Sequence, residues 1–333
     1  MKWVCILVSL ISLSLVTGCS KVKPAATQSH TQNSTLAPLG SLQQCQQYSG
    51  LPEAWQNSKT AGMVWIPEGS FQLGSNLAYP DELNFGQAQR QVTGFWIDQT
   101  EVTVAQFSSF VKATGYITDA EKQKQAAVFS PDANNPKQWW QLKSDYTWKT
   151  PNGAQGQPPL PSEPVRYVTK NDAEHYAVWL GRDLPTEQEW EYAAKAGSKS
   201  DTPLHQAPQD THQHPQANYW QGEFPFDNTV EDHFQSVAPV GCYASNAFKL
   251  FDMIGNVWEW TSSAYHGAHD QHMGNYAELR QQNSTATQYV LKGGSFLCAS
   301  NFCARYRNSS RYPQEFDLAA THVGFRTILR TVE

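Results

Sequence analysis

The sequence predicts an α+β domain with an unusual share of irregular backbone. Three observations carry that expectation: helical patterns confined to the middle of the chain, strand candidates of only a few residues, and a Gly-punctuated, aromatic second half in which helical periodicity stops after Ala217. Met63–Ile66 and Ser70–Leu73, separated by Pro67-Glu68-Gly69, read as a hairpin. Phe95–Asp98 is a further strand. Thr103 and Gln106 have capping-box spacing, and the apolar stripe Phe107, Phe110 and Val111 stops at Gly115. A second helix is expected over Asp172–Leu180, ending at Gly181. A third starts at Thr186, with Glu189 placed to complete a capping box and Trp190, Ala193 and Ala194 on one face, and stops at Gly197. Tyr289–Lys292 and Val323–Ile328 are the clearest late strands.

The N-terminus belongs to a different category. Met1-Lys2 followed by the apolar run Val4–Val16 is too short to span a bilayer and reads as an export signal over residues 1–18. Leu15-Val16-Thr17-Gly18-Cys19 resembles the bacterial lipobox, which implies cleavage before Cys19 and acylation of that residue. Ser20 at the second mature position resembles lipoproteins of the outer membrane, facing the periplasm. Residues 19–60, rich in Gln, Ser, Thr and Ala, read as the lipidated Cys and a tether. Residues 61–330 then form one domain, without an internal repeat.

Composition excludes other classes. Charged residues make up 16% of the 333 positions, below the roughly 25% of an average domain, and 12 are Trp, opposite to the signature of disorder. A net charge of -6 offers no footprint for a phosphate backbone, so nucleic acid is not an expected partner.

Once the signal and Cys19 are set aside, four cysteines remain: Cys45, Cys242, Cys298 and Cys303. An exported chain meets an oxidising compartment, where two structural disulfides are the plain reading. The spacing of Cys298 and Cys303 allows their side chains to converge only if Ala299–Phe302 form an irregular loop. Gly293-Gly294 would supply backbone freedom, and Arg305-Tyr306-Arg307 positive potential favouring thiolate. Such a pair suits a structural disulfide, a redox-active disulfide or a soft metal such as Cu(I).

The run Leu291-Lys292-Gly293-Gly294-Ser295-Phe296-Leu297-Cys298, continuing to Cys303-Ala304-Arg305-Tyr306-Arg307 and Gly324-Phe325-Arg326, resembles the catalytic segment of the formylglycine-generating enzymes, the sulfatase-modifying factors. Leu184-Pro185-Thr186-Glu187, Trp190-Glu191-Tyr192, Asn218–Pro225 and Gly255-Asn256-Val257-Trp258-Glu259-Trp260 follow the same family in order. The resemblance covers about residues 62–328. It implies a C-type-lectin-like fold and copper-dependent oxidation by O2 of a sulfatase cysteine, in a Cys-x-Pro-x-Arg context, to Cα-formylglycine. Cys298 and Cys303 would hold Cu(I), Ser295 would be the active-site serine, and Trp258 would line the oxygen pocket or simply fill the core. Two Ca2+ sites are implied: Asn218 and Asp232 with the carbonyls of Tyr219 and Phe234, and Asp252 and Glu259 with those of Gly255 and Val257. Oxygen-only sets of this kind suit Ca2+.

Phe302 stands where the family has Tyr, and His322 where an Asn is usual; both bear on peptide preference. Cys45 and Cys242 either pair or remain free. His205, His212 and His214, and separately His266, His269 and His272, lie in polar loop sequence and are not expected to be sites. The expected protein is thus a monomeric, lipid-anchored oxidase facing the periplasm, with an exported sulfatase as partner. The alternative is a non-oxidising domain that binds or assists another exported protein. The thiol pair separates the two, because a pure binding domain needs none.

Overall fold

The computed structural model describes residues 39–83, 89–132, 135, 138–199, 201–266 and 287–331. The export signal, Cys19, residues 20–38 of the expected tether, His269 and His272 lie outside the described residues. In chain order the elements are α1 (Leu42–Gln47), β1 (Met63–Ile66), β2 (Gly69–Gln72), α2 (Pro80–Leu83), β3 (Gln89–Val92), β4 (Phe95–Asp98), α3 (Val104–Thr114), α4 (Asp119–Gln123), β5 (Ala126–Phe129), β6 (Trp140–Lys143), α5 (Lys170–Trp179), α6 (Glu187–Lys195), β7 (Trp258–Ala264), β8 (Gln288–Lys292), β9 (Arg311–Glu315), β10 (Val323–Gly324) and β11 (Ile328–Arg330).

The helices begin where side chains replace missing backbone partners. Thr103, Thr118, Thr169 and Thr186 each close a reciprocal capping box, with Gln106, Glu121, Asp172 and Glu189. The second expected helix therefore starts earlier than its apolar pattern suggested, because Asp172 is the third residue of the box opened by Thr169. α3 ends on Gly115 in the left-handed region, as its sequence required. Its buried face seats Phe107 edge-on to Trp148 at 5.2 Å and stacked on Tyr176 at 5.8 Å.

Two strand expectations change. β1 and β2 do not pair with each other: β1 joins β4 in the sheet β1-β4-β11, while β2 pairs with β3. Pro67-Glu68 carries the chain from one sheet to the next, and turn chemistry alone does not distinguish that from a hairpin. The stretch Val323–Ile328 also splits. β10 lies parallel to β7 in the sheet β10-β7-β8-β9, and β11 lies antiparallel to β4 in the other. Phe325 and Arg326 between them are fully buried and pin the two sheets together.

The tether is shorter than expected. α1 is capped by Ser41, and its Cys45 is disulfide-bonded to Cys242, 197 residues away. Leu42, Phe234, Ala238 and Tyr243 pack around the bond. Low apolar periodicity concealed this segment because a six-residue helix fastened by one cysteine needs little of it. Among the described residues no helix is long and apolar enough to cross a membrane.

Candidate active site

The loop between β8 and β9 carries both free thiols, Cys298 and Cys303. The expected irregular loop is a tight turn. Ala299 N–H donates to the Phe302 carbonyl at 2.9 Å and Phe302 N–H to the Ala299 carbonyl at 3.1 Å. A pair that exchanges both bonds sets the next pair outward, here the two cysteines, side by side. Cys303 pays locally for this with a left-handed backbone, φ 46°. Gly294 must be glycine: at φ 81°, a Cβ would come within 2.7 Å of the Arg305 carbonyl oxygen.

The two thiols are not equivalent. Cys303 hydrogen-bonds to Cys298, and this bond, burial and the neighbouring sulfur's charge push its pKa well above that of an ordinary thiol. Burial also opposes ionisation of Cys298. The Cys303 thiol, the backbone N–H groups of Ser295 (3.4 Å) and Arg305, and the charge of Arg305 outweigh it, so the Cys298 pKa lies below the ordinary value.

Arg305 does not act as a bare cation. It pairs with Asp81 at 3.0 Å and Glu82 at 2.9 Å, while Arg307 reaches Glu82 at 2.6 Å. Burial raises the Glu82 pKa, but both guanidiniums outweigh it and hold it below the usual carboxylate range. Tyr79 lies under Arg305, 4.4 Å from its ring centroid, and its hydroxyl accepts the Ala304 N–H at 2.9 Å. α2 and Tyr79 therefore fix the segment beyond Cys303. Sequence reading missed them, since a single-turn helix in the first third carries no local sign of its distant partner.

Of the other expected residues, Ser295 touches the pair, its N–H lying 3.4 Å from the Cys298 sulfur. Ser295 is buried, and its hydroxyl accepts the Leu297 N–H at 3.3 Å. Trp258 is buried against Tyr312, ring centroids 5.6 Å apart. Tyr306, also buried, has a hydroxyl without a hydrogen-bond partner. Phe302 stacks on Phe224 at 4.5 Å and meets Trp139 edge-on at 5.1 Å. His322 packs on Trp140, and burial pushes its pKa down to about 3, so it is neutral. The donor set at the turn, a buried thiol and a half-buried one hydrogen-bonded to it, fits a soft monovalent metal.

Among the described residues no three His, Cys, Asp or Glu side chains converge as a metal cluster, so either expected calcium site depends on carbonyl oxygens. At the first, Asn218 Oδ1 is buried without a partner, and Asp232 is buried nearby, accepting from the Phe234 N–H at 2.9 Å. Gln221 Nε2 bridges the Tyr219 carbonyl and Asp232. This oxygen-rich corner fits a hard cation. At the second, Asp252 is pushed up to about 6 by burial and by Glu259, and Glu101 lies well above its usual range through burial and the charges of Asp252 and Glu259. Carboxyls crowded in this way also fit a cation. Glu259 as it stands does not: Arg326 takes both its oxygens at 2.7 Å, and Trp190 Nε1 adds a third bond at 2.7 Å. Glu101 Oε2, buried and without a partner, was not among the expected ligands. His205 lies beside the turn, 3.1 Å from the Ser300 carbonyl, and His212 and His214 flank Asp210.

A loop-built α+β domain that presses two unbonded thiols together at its centre defines a class of thiol-centred proteins. Residues 48–331 match the sulfatase-modifying factor enzyme 1-like domain, and the chain belongs to that family. It is 37% identical over 292 residues to the formylglycine-generating enzyme of Mycobacterium tuberculosis, covering 80% of this chain and 97% of that one. It is 38% identical over 290 residues to the enzyme of that name from Thermomonospora curvata, covering 80% and 92%. A Bos taurus relative, inactive C-alpha-formylglycine-generating enzyme 2, is 34% identical over 288 residues, covering 81% and 88%. PvdO from Pseudomonas aeruginosa shares the fold, with a TM-score of 0.56, 24% identity and coverage of 82% and 96%.

Proposed function

We propose that the chain oxidises a cysteine of an exported sulfatase, in a Cys-x-Pro-x-Arg context, to Cα-formylglycine with O2. The observation that carries this reading is the hydrogen-bonded, unbonded pair Cys298/Cys303 at a left-handed turn. The names of the bacterial relatives agree with it. Cys298 and Cys303 would hold Cu(I), which when bound supplies the path for electrons from substrate to O2. In the overall reaction the substrate sulfur loses its proton and its β-carbon a hydrogen, O2 takes up the electrons, and hydrolysis of the C=S bond releases sulfide and leaves the aldehyde.

This chain's own groups supply position. The Ser295 N–H holds the Cys298 sulfur, the Arg305 clamp fixes the segment beyond Cys303, and Cys303 would have to give up its thiol proton to serve as a ligand. Trp258, buried and packed on Tyr312, would serve as the wall of the oxygen pocket, keeping water from the reacting centre. Asn218 and Asp232, with the Tyr219 and Phe234 carbonyls, would hold one Ca2+. Asp252, with the Gly255 and Val257 carbonyls, would hold another, with Glu101 closer to serving than the Arg326-bound Glu259. Cys19 would carry the lipid anchor, placing the domain in the periplasm, where the Cys45–Cys242 disulfide suits an oxidising compartment.

That a relative is named as inactive supports keeping a second reading, a non-oxidising domain that binds or assists maturation of another exported protein. One assay separates them. The full chain is loaded with Cu(I) and incubated with O2 and a Cys-x-Pro-x-Arg peptide, and aldehyde is trapped with a hydrazide. Aldehyde that requires both copper and O2 is expected; none from loaded, folded protein refutes the oxidation.

A further inference from the structure

Among the described residues six arginines are buried, and five of them face a carboxylate: Arg182 with Asp98, Arg305 with Asp81 and Glu82, Arg307 with Glu82, Arg311 with Glu187, and Arg326 with Glu259. Arg166 is the exception. It is 3% exposed, forms no ion pair among the described residues, and has only the Tyr167 ring, 5.8 Å from its guanidinium carbon, beneath it. Its guanidinium has five N–H donors. The two hydrogen bonds it makes are long, to the Thr321 carbonyl at 3.4 Å and Asn152 Oδ1 at 3.3 Å. Glu163 is near enough for each to feel the other's charge, but the two do not pair.

This cation lines a cavity of about 450 Å3 that also touches Asn152, Trp220, the exposed Phe226, Phe296 and Leu297. The last two directly precede Cys298, and Trp220 N–H donates to the Cys298 carbonyl at 2.9 Å. The cavity wall and the thiol turn are thus one piece of structure. A buried guanidinium is costly without a partner, and its planar fork matches a carboxylate.

We infer that Arg166 forms an anion subsite beside the thiol pair that takes a carboxylate side chain flanking the reactive cysteine of the substrate polypeptide. The inference rests on the reading that this site receives a polypeptide cysteine. A client would dock at two points, its cysteine at the turn and an Asp or Glu at Arg166.

The test reads binding, not turnover. Fluorescent peptides with the Cys-x-Pro-x-Arg core carry Glu or Gln at successive flanking positions, and anisotropy gives their affinities for the copper-free full chain. At one position Glu is expected to bind about tenfold or more tighter than Gln. Arg166→Met should bring that ratio close to one and leave Gln-peptide affinity within about twofold. No position preferring Glu, or a preference that survives Arg166→Met, overturns the inference. So does a sulfate-induced rise in Tm that requires Arg166 when no position prefers Glu, because the occupant is then a free anion. Arg166→Met should melt no lower than the parent, as replacing a buried charge held only by two long hydrogen bonds and a distant ring with apolar volume is neutral or stabilising. A fall of more than about 5 °C assigns the guanidinium a structural role and overturns the inference as well. Absence of aldehyde in the separate turnover assay would refute the oxidation and leave this ratio to stand or fall alone.

Discussion

Cys45 and Cys242 are joined across 197 residues, whereas Cys298 and Cys303, neighbours on one turn, are not joined. Spatial proximity is common to both pairs, so it does not decide which becomes a crosslink. Surroundings do. The joined pair lies among Leu42, Phe234, Ala238 and Tyr243, in a small apolar cluster on which α1 is fastened. The open pair has backbone donors aimed at one sulfur and a guanidinium beside it, which favour a thiolate and hence chemistry.

The largest expected effect follows from that contrast. Cys298→Ser, Cys303→Ser and the double variant should each lose aldehyde formation by about a thousandfold or more, with nearly equal losses because the two sulfurs act as a unit. Tm should change little. Steady-state kinetics and thermal melts check this together; a double variant far worse than either single one would show that the sulfurs work separately.

Breaking the other pair should do the reverse. Cys45→Ala with Cys242→Ala is expected to cost about 2–5 kcal/mol in denaturant melts, with kcat of the remaining folded protein largely retained. Large loss of kcat at full folding would mean that the crosslink also shapes the active turn.

Acid should act on the thiol side of the molecule through His322, whose carbonyl accepts the Trp258 N–H at 2.8 Å. Its pKa is about 3 when folded and 6.5 as the ordinary value, so the unfolded chain binds the proton first. Its contribution to stability is therefore intact above about pH 6.5 and lost as pH falls toward 3. Asp172 and Asp252, raised to about 6 mainly by burial, work in the opposite sense, so the test is a difference between variants. Near pH 5, His322→Asn should recover about 2 kcal/mol relative to the parent, compared with the difference at pH 7.5. An unchanged difference between the two pH values would contradict a buried neutral imidazole.

The smallest effect calibrates the rest. Thr186→Ala removes the α6 cap and should cost about 1 kcal/mol, leaving Cu(I) affinity and kcat unchanged. A change in either would reveal coupling between that helix and the thiol turn.

Local rules made much of this legible. The capping boxes of α3 and α6 and the Gly115 stop are written within a few residues, and the structure places them there. Gly293-Gly294 and the arginine run mark the Cys298/Cys303 loop, but the spacing left a disulfide and a functional pair open, and only the family resemblance pointed to the latter. Elements fixed by distant partners were not legible. β1 and β2 join different sheets, Val323–Ile328 divides between two, and Cys45 anchors a segment that reads as tether. Tyr79, Asp81, Glu82 and Glu101 matter only through residues more than a hundred positions away, and no period or turn signal encodes that.

The most direct measurement is aldehyde formed per chain on a Cys-x-Pro-x-Arg peptide by copper-loaded protein, compared with Cys303→Ser at equal folding. The account predicts aldehyde from the parent over repeated turnovers and essentially none from the variant. Equal aldehyde from both, or none from either, would contradict an active site built on the two thiols.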